Sequence, residues 1–244
     1  MQFGVVGDVH GDFDALDRVL ARHPDVAFWL SVGDVASADL RYPEPVAPLY
    51  WIQGNNEDFE YIRGTPGLQP GDGHRNLHFL PNGSRTAVGG VVVAGLGGTF
   101  APTWYDTPAA ELPYPGSAGV KARTAVAGPV VRPARPVRDD KRRHFVREQV
   151  EALAAMRNVD VLLTHEAPRP FFVEAGAGRR LDAGKTAINE VMVAMRPRLH
   201  FFGHHHRFSE ATRDGVPSIG LDLVSHSYVL VEAQSFSYEK LDTP

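Results

Sequence analysis

The chain has 244 residues and a net charge of −4, and 43% of its residues are hydrophobic. It contains no cysteine, which excludes a thiolate nucleophile, a disulfide framework, an iron–sulfur cluster and a cysteine-ligated zinc site. The negative net charge disfavours a protein that coats nucleic acid through bulk electrostatics. A bound metal would take imidazole, carboxylate, amide or water ligands, which favours Mn, Fe, Zn, Mg or Co.

Apolar runs alternate with helical patterns along the chain, which is typical of an α/β fold. In chain order, the first part predicts a strand (2–6), a helix (13–22), two strands (27–32, 49–53), a short helix (57–63) and two strands (77–80, 86–96), the last interrupted at Gly89-Gly90. The second part predicts a helix (141–157), a strand (159–164), a helix (184–195), a strand (199–202) and short strands over 210–239, with Asp214-Gly215 as a hairpin turn.

We interpret residues 1–244 as a single domain with an insertion at about 99–140 that is rich in proline, glycine and arginine. The first residues lack the pattern of a secretory signal. The charge-free run 86–105 carries several glycines and a proline, so we interpret it as a strand and a loop rather than a membrane span. These features predict a cytoplasmic protein with no membrane partner, and they leave the oligomeric state open.

Side chains that can bind metal follow five of the predicted strands. The segments are Gly7-Asp8-Val9-His10, Gly33-Asp34, Gly54-Asn55-Asn56-Glu57, Thr164-His165-Glu166 and Gly203-His204-His205-His206. Functional groups of open α/β sheets collect at the carboxyl ends of the strands, so we expect these side chains to lie together. A glycine before the ligand permits a tight turn that directs the next side chain into the crevice.

The spacing within two of these segments supports the same interpretation. Asp8 and His10 are two residues apart, and so are His204 and His206. In extended backbone, residues i and i+2 point to the same face. We therefore expect each pair to converge on one ion and His205 to point away.

The ordered set Gly-Asp-x-His, Gly-Asp, Gly-Asn-x-Glu, Thr-His and Gly-His-x-His spans residues 7–206 and resembles the calcineurin-like metallophosphoesterases. The resemblance implies an α/β fold in which two mixed sheets form a four-layer α/β sandwich around two divalent metal ions. Mn and/or Fe are favoured, with Zn, Ni, Co or Mg as alternatives. The implied ligands are Asp8, His10 and His206 for one ion, Asn55, His165 and His204 for the other, and Asp34 as a bridge between both.

Two such ions could bind a bridging hydroxide for in-line attack on phosphorus and offset charge in the transition state. The expected function is a dinuclear metal-dependent phosphoesterase, with a phosphodiesterase favoured and no covalent phospho-enzyme. The alternatives are a phosphomonoesterase or nucleotidase, and a non-catalytic binding scaffold of the same fold. A second likeness, of Gly95-Leu96-Gly97-Gly98 and residues 159–169 to RNA lariat-debranching enzymes, favours phosphodiesters and nucleotides as substrates.

One position departs from the family pattern. Most of the family has a histidine where this chain has Asn56, and that histidine is thought to help protonate the leaving oxygen. An amide can donate a hydrogen bond but cannot deliver a proton. We therefore expect the protein to prefer substrates with good leaving groups, unless His205, His226 or Glu57 takes the role of the general acid. The predicted catalytic residues are Asp34, Asn56 and His205.

The segment 121–147 has nine basic and two acidic residues, a local charge of +7. Such a segment could steer a polyanion to the crevice, so nucleic acid stays open as a partner beside a small phosphoester or nucleotide substrate. A solvated loop is the simpler interpretation. The aromatic residues Trp104, Tyr105 and Tyr114 could stack on a base or anchor the loop.

Three arginines lie near the ligand-bearing turns in the sequence: Arg169, Arg180 and Arg207. An arginine fork would suit a substrate phosphate, because a guanidinium can form two parallel hydrogen bonds to phosphate oxygens. A surface charge is the simpler interpretation of each.

Overall fold

The computed structural model describes residues 1–64, 75–114, 140–174 and 178–244. The helices are α1 (Phe13–Arg22), α2 (Phe59–Gly64), α3 (Arg147–Ala154) and α4 (Thr186–Met195). The first strands are β1 (Gln2–Val6), β2 (Trp29–Ser31), β3 (Leu49–Trp51), β4 (Leu77–Phe79), β5 (Ser84–Val88), β6 (Val91–Leu96), β7 (Thr99–Phe100) and β8 (His144–Phe145). The remaining strands are β9 (Val161–Thr164), β10 (Phe172–Glu174), β11 (Arg180–Asp182), β12 (Leu199–Phe202), β13 (Ser209–Arg213), β14 (Val216–Gly220), β15 (Ser227–Glu232) and β16 (Tyr238–Asp242).

The main strands form two mixed six-stranded sheets. The first sheet has the order β16-β15-β1-β2-β3-β4, in which β1 to β4 are parallel and the pairs that include β15 are antiparallel. The second sheet has the order β13-β14-β12-β9-β6-β5, in which the four central strands are parallel and the two edge strands antiparallel. Within each sheet, the parallel strands therefore bring their carboxyl ends to the same edge.

Three apolar clusters hold the sheets and helices together as four layers. The inner faces of the two sheets pack on each other through buried side chains such as Val5, Leu163 and Phe201. Helix α1 packs on the outer face of the first sheet, where Val6 and Trp29 contribute, and α3 and α4 pack on the outer face of the second. Val5 and Val6 face opposite layers because side chains alternate along a strand. The predicted four-layer α/β sandwich is confirmed.

The first helix begins directly after the first predicted ligand segment. The Asp12 carboxylate accepts a hydrogen bond from the Ala15 N–H at 3.1 Å and caps the helix. Its buried face includes Leu16, Val19 and Leu20, at helical spacing. This packing fixes the chain two residues beyond His10.

The predicted helix over 141–157 is wrong in its first six residues. Lys141–Arg143 form a single 3-10 turn that is capped by the Asp140 carboxylate. Strand β8 then pairs in parallel with β7, and Phe145 is fully buried. Helix α3 begins only at Arg147 because this extended pairing occupies the preceding residues.

The predicted interruption at Gly89-Gly90 and the predicted hairpin turn at Asp214-Gly215 are both confirmed, each with left-handed backbone. Gly89 and Gly90 have φ values of 56° and 78°, and Asp214-Gly215 have 51° and 80°. The hairpin of β10 and β11 was not predicted from the sequence. Its large apolar residues Phe172 and Leu181 are exposed, so it lacks the buried apolar face on which the strand predictions depend. Across the described ranges, no helix is long and apolar enough to cross a membrane.

Most of the basic segment 121–147 lies outside the described residues, so its role in steering a polyanion stays a prediction. The five basic residues concerned are Lys121, Arg123, Arg132, Arg135 and Arg138. The organisation of the chain as a single domain also stays a prediction. Tyr105 is buried, and its ring lies 5.0 Å from that of Phe100. Tyr105 therefore anchors the start of the insertion, and its ring is not free to stack on a base.

Candidate metal centre

The segments that follow β1, β2, β3, β9 and β12 meet at one end of the sandwich. Asp8 connects the two sheets, because its carboxylate oxygens accept hydrogen bonds from the His204 N–H at 3.1 and 3.0 Å. His165 makes a second connection, since its Nδ1 lies 2.9 Å from the Val32 carbonyl oxygen. The predicted site residues therefore come from both sheets.

The glycines in these segments serve two different purposes. Gly33 has a φ of 105°, so the interpretation as a tight turn holds there. A Cβ on Gly54 would lie 2.0 Å from Asp34 Oδ1, and a Cβ on Gly203 would lie 2.2 Å from Asp8 Oδ1. At Gly54 and Gly203, the missing side chain lets a carboxylate approach the backbone of the next segment.

Asp8, His10 and His206 form a group that we call the open cluster. His206 Nε2 lies 3.0 Å from Asp8 Oδ2 and 3.0 Å from His10 Nε2. The Asp8 side chain is 1% exposed, whereas those of His10 and His206 are 33% and 42% exposed. The hydrogen bond to Asp8 raises the pKa of His206 above its ordinary value. Three ligand atoms thus face one another, and two of the three side chains reach solvent.

Asn55, His165 and His204 form a second group, the enclosed cluster. His165 Nε2 lies 3.0 Å from Asn55 Oδ1, and the His165 and His204 rings are 5.0 Å apart between centroids. The His165 side chain is fully buried. Burial, and then the nearby His165, lower the pKa of His204 to about 3. The His204 ring is therefore neutral near pH 7 and can offer a lone pair.

Asp34 lies between the two clusters. Its Oδ2 is 3.5 Å from His10 Nε2 and 3.7 Å from His165 Nε2. Asn56 donates its backbone N–H to Asp34 Oδ1 and its side-chain amide to Oδ2, each at 2.7 Å. Burial alone would raise the pKa of Asp34, but His165, His10 and the Asn56 hydrogen bonds hold it below its ordinary value. The carboxylate is therefore ionised, with one oxygen facing a histidine of each cluster.

The donor atoms of the enclosed cluster fit a cation. His165 Nδ1 donates to the Val32 carbonyl, which in the neutral ring leaves a lone pair on Nε2. That lone pair faces the Asn55 carbonyl oxygen, which is also an acceptor. Two acceptors at this distance repel each other unless a cation, or a proton on Nε2, lies between them. Burial lowers the pKa of His165, but the charges of Asp34 and Asp8 raise it above its ordinary value, so the surroundings favour a positive charge at this position. A histidine whose other nitrogen donates to a backbone carbonyl is the usual arrangement of a metal ligand.

Left-handed backbone recurs in the centre. Positive φ values of 49°, 49°, 68° and 46° occur at His10, Asp34, His204 and His206. Non-glycine residues rarely adopt this region, and such residues concentrate at functional sites. The expectation that His204 and His206 share a face is wrong, because the chain between them is not extended. His206 contacts Asp8, and His204 lies against His165.

His205 points away from this arrangement, as its position in the sequence predicts. Its ring packs against the Phe171 ring at 4.5 Å between centroids. Burial, and then the charge of Lys185, lower the pKa of His205 to about 4. The ring is neutral near pH 7, so it lacks the proton that a general acid needs. The catalytic role of His205 stays a prediction.

Glu57 holds the loops of the centre together, a role that its sequence position did not indicate. Burial, and then the charge of Asp34, raise its pKa to about 8. Its two oxygens accept four hydrogen bonds, from the N–H groups of Val35, Gly54 and Ala36 and from the Tyr42 hydroxyl. Glu57 thus ties the segment that carries Asp34 to the one that carries Asn55. Helix α2 begins after it, at Phe59.

The family model of the calcineurin-like phosphoesterases matches residues 1–208. The chain belongs to this metal-dependent family of phosphoric ester hydrolases. The protein TT1561 of Thermus thermophilus has a crystal structure that superposes with a TM-score of 0.61 at 14% identity, covering 99% of this chain and 98% of that one. A solved archaeal phosphodiesterase superposes with a TM-score of 0.48 at 9% identity, covering 99% of each chain. At these identities the likeness concerns the fold alone. None of the curated protein sequences matches this chain.

Proposed function

We propose that this chain is a dinuclear metal-dependent phosphodiesterase that hydrolyses a small phosphoester or nucleotide without a covalent phospho-enzyme. The observation that carries the proposal is the position of Asp34 Oδ2, 3.5 Å from His10 Nε2 and 3.7 Å from His165 Nε2. A single ion would need only one set of ligands. One carboxylate oxygen that faces two sets supports a pair of ions with a shared bridge.

Two divalent ions, with Mn and/or Fe favoured, would lower the pKa of a water molecule and offset the negative charge that builds on the phosphoryl oxygens. The chain contributes the ligand side chains, and both sheets supply ligands to each ion. The open cluster would hold one ion and the enclosed cluster the other, with the Asp34 carboxylate between them. The buried, ionised state of Asp34 suits this role, because a protonated carboxyl could not bridge two cations.

Asn56 positions the bridging carboxylate. Both of its N–H groups donate to Asp34, so its side chain is oriented toward the bridge. Such outer hydrogen bonds orient metal ligands and keep them basic. An amide cannot supply a proton to the leaving oxygen, so esters with good leaving groups are the preferred substrates.

A diester is favoured over a monoester by the likeness of residues 95–98 and 159–169 to the lariat-debranching enzymes. The test compares bis(p-nitrophenyl) phosphate with p-nitrophenyl phosphate as substrates of the Mn-loaded protein, from neutral to alkaline pH. We expect the diester to show the higher kcat/KM, and addition of a chelator to abolish the activity. A higher kcat/KM for the monoester would identify a phosphomonoesterase. If neither ester yields a product, the proposed enzymatic activity is contradicted, and the non-catalytic binding scaffold remains as the alternative.

A further inference from the structure

A second concave site lies on the outer side of the second sheet. It is a cavity of about 150 Å³, bounded by the hairpin of β10 and β11, the edge strand β13 and the segment after β12. Three arginines line it, one from each of these parts of the fold: Arg180, Arg213 and Arg207. Arg207 directly follows His206 of the open cluster.

Aromatic rings hold two of the three guanidinium groups. Arg180 lies over the Phe172 ring at 4.9 Å, and Arg207 lies over the Phe171 ring at 5.2 Å. Stacking on a ring positions a guanidinium without using its N–H groups. Arg207 Nη2 also donates a long hydrogen bond to the Phe172 carbonyl oxygen, at 3.4 Å. The same Phe171 ring packs on His205, which lies between His204 and His206 in the chain, so the cavity lies beside the segment that carries these two predicted ligands.

The third guanidinium is held by the backbone. Arg213 Nη2 donates to the Pro170 carbonyl oxygen at 3.0 Å. Arg213 shares a face of β13 with Ser209 and Ala211, because residues two apart in a strand point to the same side. Ser209 and Ser218 also line the cavity, and the Ser218 hydroxyl is hydrogen-bonded to His200 Nδ1.

Within the described residues, most of the positive charge of the cavity is not compensated. None of its three arginines forms an ion pair with a carboxylate of residues 1–64, 75–114, 140–174 or 178–244. Glu210 is the one carboxylate among the described residues that line the cavity. It is engaged by the Tyr238 hydroxyl, whose pKa rises to about 12 because of burial and then that hydrogen bond. The wall therefore has a local charge of +2 in a chain whose net charge is −4.

Arg169 shows the ordinary alternative. The sequence groups it with Arg180 and Arg207, but its Nε lies 2.7 Å from Asp182 Oδ2 on the surface. Its charge is thus neutralised by a neighbour. Arg169 is a paired surface arginine, whereas the three arginines around the cavity have no carboxylate partner in the described part of the chain.

We propose that this cavity binds a phosphoryl group through Arg180, Arg207 and Arg213. Guanidinium groups recognise phosphate oxygens through paired, charge-assisted hydrogen bonds, and three arginines line this cavity. Because the segment that carries His206 continues into the cavity wall at Arg207, the group fits a second phosphoryl of a substrate held at the metal centre, an assignment that rests on the proposed function. A free phosphate ion has the same chemistry and is the other source.

The first test is calorimetric titration of the Mn-loaded full chain with inorganic phosphate. Arg180→Gln/Arg213→Gln removes two of the guanidinium groups, and Arg169→Gln is the matched control. We expect two phosphate sites in the wild type and in the control. The double variant should weaken one of them by roughly 10-fold or more, since charged hydrogen bonds are lost.

The result is separable from the proposed function. If the metal centre takes no phosphate, the wild type shows one site, and the double variant still loses it. Equal phosphate binding by the wild type and the double variant would overturn the proposal. Arg180→Gln alone, on the exposed hairpin, provides the same comparison should the double variant not fold.

The second test distinguishes the two sources of the phosphoryl group. It compares the KM of a dinucleotide that carries a terminal phosphate with that of the same dinucleotide without it. For a second phosphoryl of the substrate, the terminal phosphate lowers KM in the wild type and in Arg169→Gln, and the advantage disappears in the double variant. Loss of phosphate binding with an unchanged KM ratio assigns the cavity to free phosphate.

Discussion

The open and the enclosed cluster each have two histidines, joined by a carboxylate in the open cluster and by an amide in the enclosed one, and they differ in their contact with solvent. His10 and His206 are 33% and 42% exposed, whereas His165 is fully buried. His165 is also fixed by the Val32 carbonyl, so its orientation is set before any ion binds. The enclosed cluster is thus preorganised by the fold, while the open cluster is accessible to exchange. We expect an ion in the enclosed cluster to be bound more tightly.

The largest effect is expected from Asp34→Asn, which removes the charge shared by the two clusters. We expect kcat for an aryl phosphodiester to fall by about 10³-fold, at the upper end of the loss for removing one stabilising group from an active site. Asp39→Asn is the matched control, because Asp39 is an exposed carboxylate paired with Arg41. Wild-type turnover by Asp34→Asn would contradict the bridging role.

The comparison of the clusters is tested directly by His165→Ala and His206→Ala. After dialysis, we expect His165→Ala to retain about one ion fewer than the wild type, and excess Mn should not restore its activity. His206→Ala should bind one ion roughly 10- to 100-fold more weakly, with activity that returns as the Mn concentration rises. Metal analysis and Mn-dependent rates measure both. Recovery of His165→Ala but not of His206→Ala would reverse the assignment.

A smaller effect is expected from Asn56→Ala. The variant leaves the ligands in place but removes the side-chain hydrogen bond that holds Asp34 at 2.7 Å. We expect kcat to fall by about 10-fold with little change in KM, as is usual for groups that orient a metal ligand. Steady-state kinetics with the aryl diester measure this. An unchanged kcat would show that the backbone N–H of residue 56 is sufficient to position Asp34.

The smallest effect concerns acid stability. His200 is buried between Thr164 and Ser218, and burial lowers its pKa from 6.5 to about 3. Below pH 6.5, His200 binds a proton in the unfolded chain but stays neutral in the folded chain until the pH approaches 3. The free energy of unfolding is therefore highest above pH 6.5 and decreases as the pH falls. His200→Asn should reduce the slope of the unfolding free energy by up to about 1.4 kcal/mol per pH unit.

Urea unfolding between pH 6 and pH 4.5 measures how steeply the free energy of unfolding depends on pH. Both values lie between the ordinary pKa of 6.5 and the lowered pKa of about 3 of His200. Ser218→Ala is the matched control, because it removes a hydrogen-bond partner of His200 but leaves the titrating ring. We expect Ser218→Ala to lower stability without changing the slope. An unchanged slope in His200→Asn would contradict the shifted pKa of this histidine.

The fold and the gathering of the site residues could be predicted because their signals are local. Each ligand segment directly follows an apolar strand, and parallel strands bring their ends together. The division of His204 and His206 between two clusters could not be predicted from spacing. It depends on left-handed backbone at both residues and on the long-range hydrogen bond from the His204 N–H to Asp8.

The same limit applies to the arginines. Arg169, Arg180 and Arg207 look equivalent in the sequence, but among the residues that the structure describes only Arg169 meets a carboxylate, that of Asp182. Arg213 joins the cavity because strand β13 lies at the edge of the second sheet. Which charge is paired depends on tertiary contacts between distant segments, and such contacts leave no local pattern.

Anomalous diffraction from crystals of the Mn-loaded protein tests the central claim most directly. We expect two Mn peaks, on opposite sides of the Asp34 carboxylate. The first lies among the ligands of the open cluster and the second among those of the enclosed cluster. After brief soaking in a chelator, the peak in the open cluster should weaken first. A single peak, or two peaks that do not share Asp34, would contradict the account.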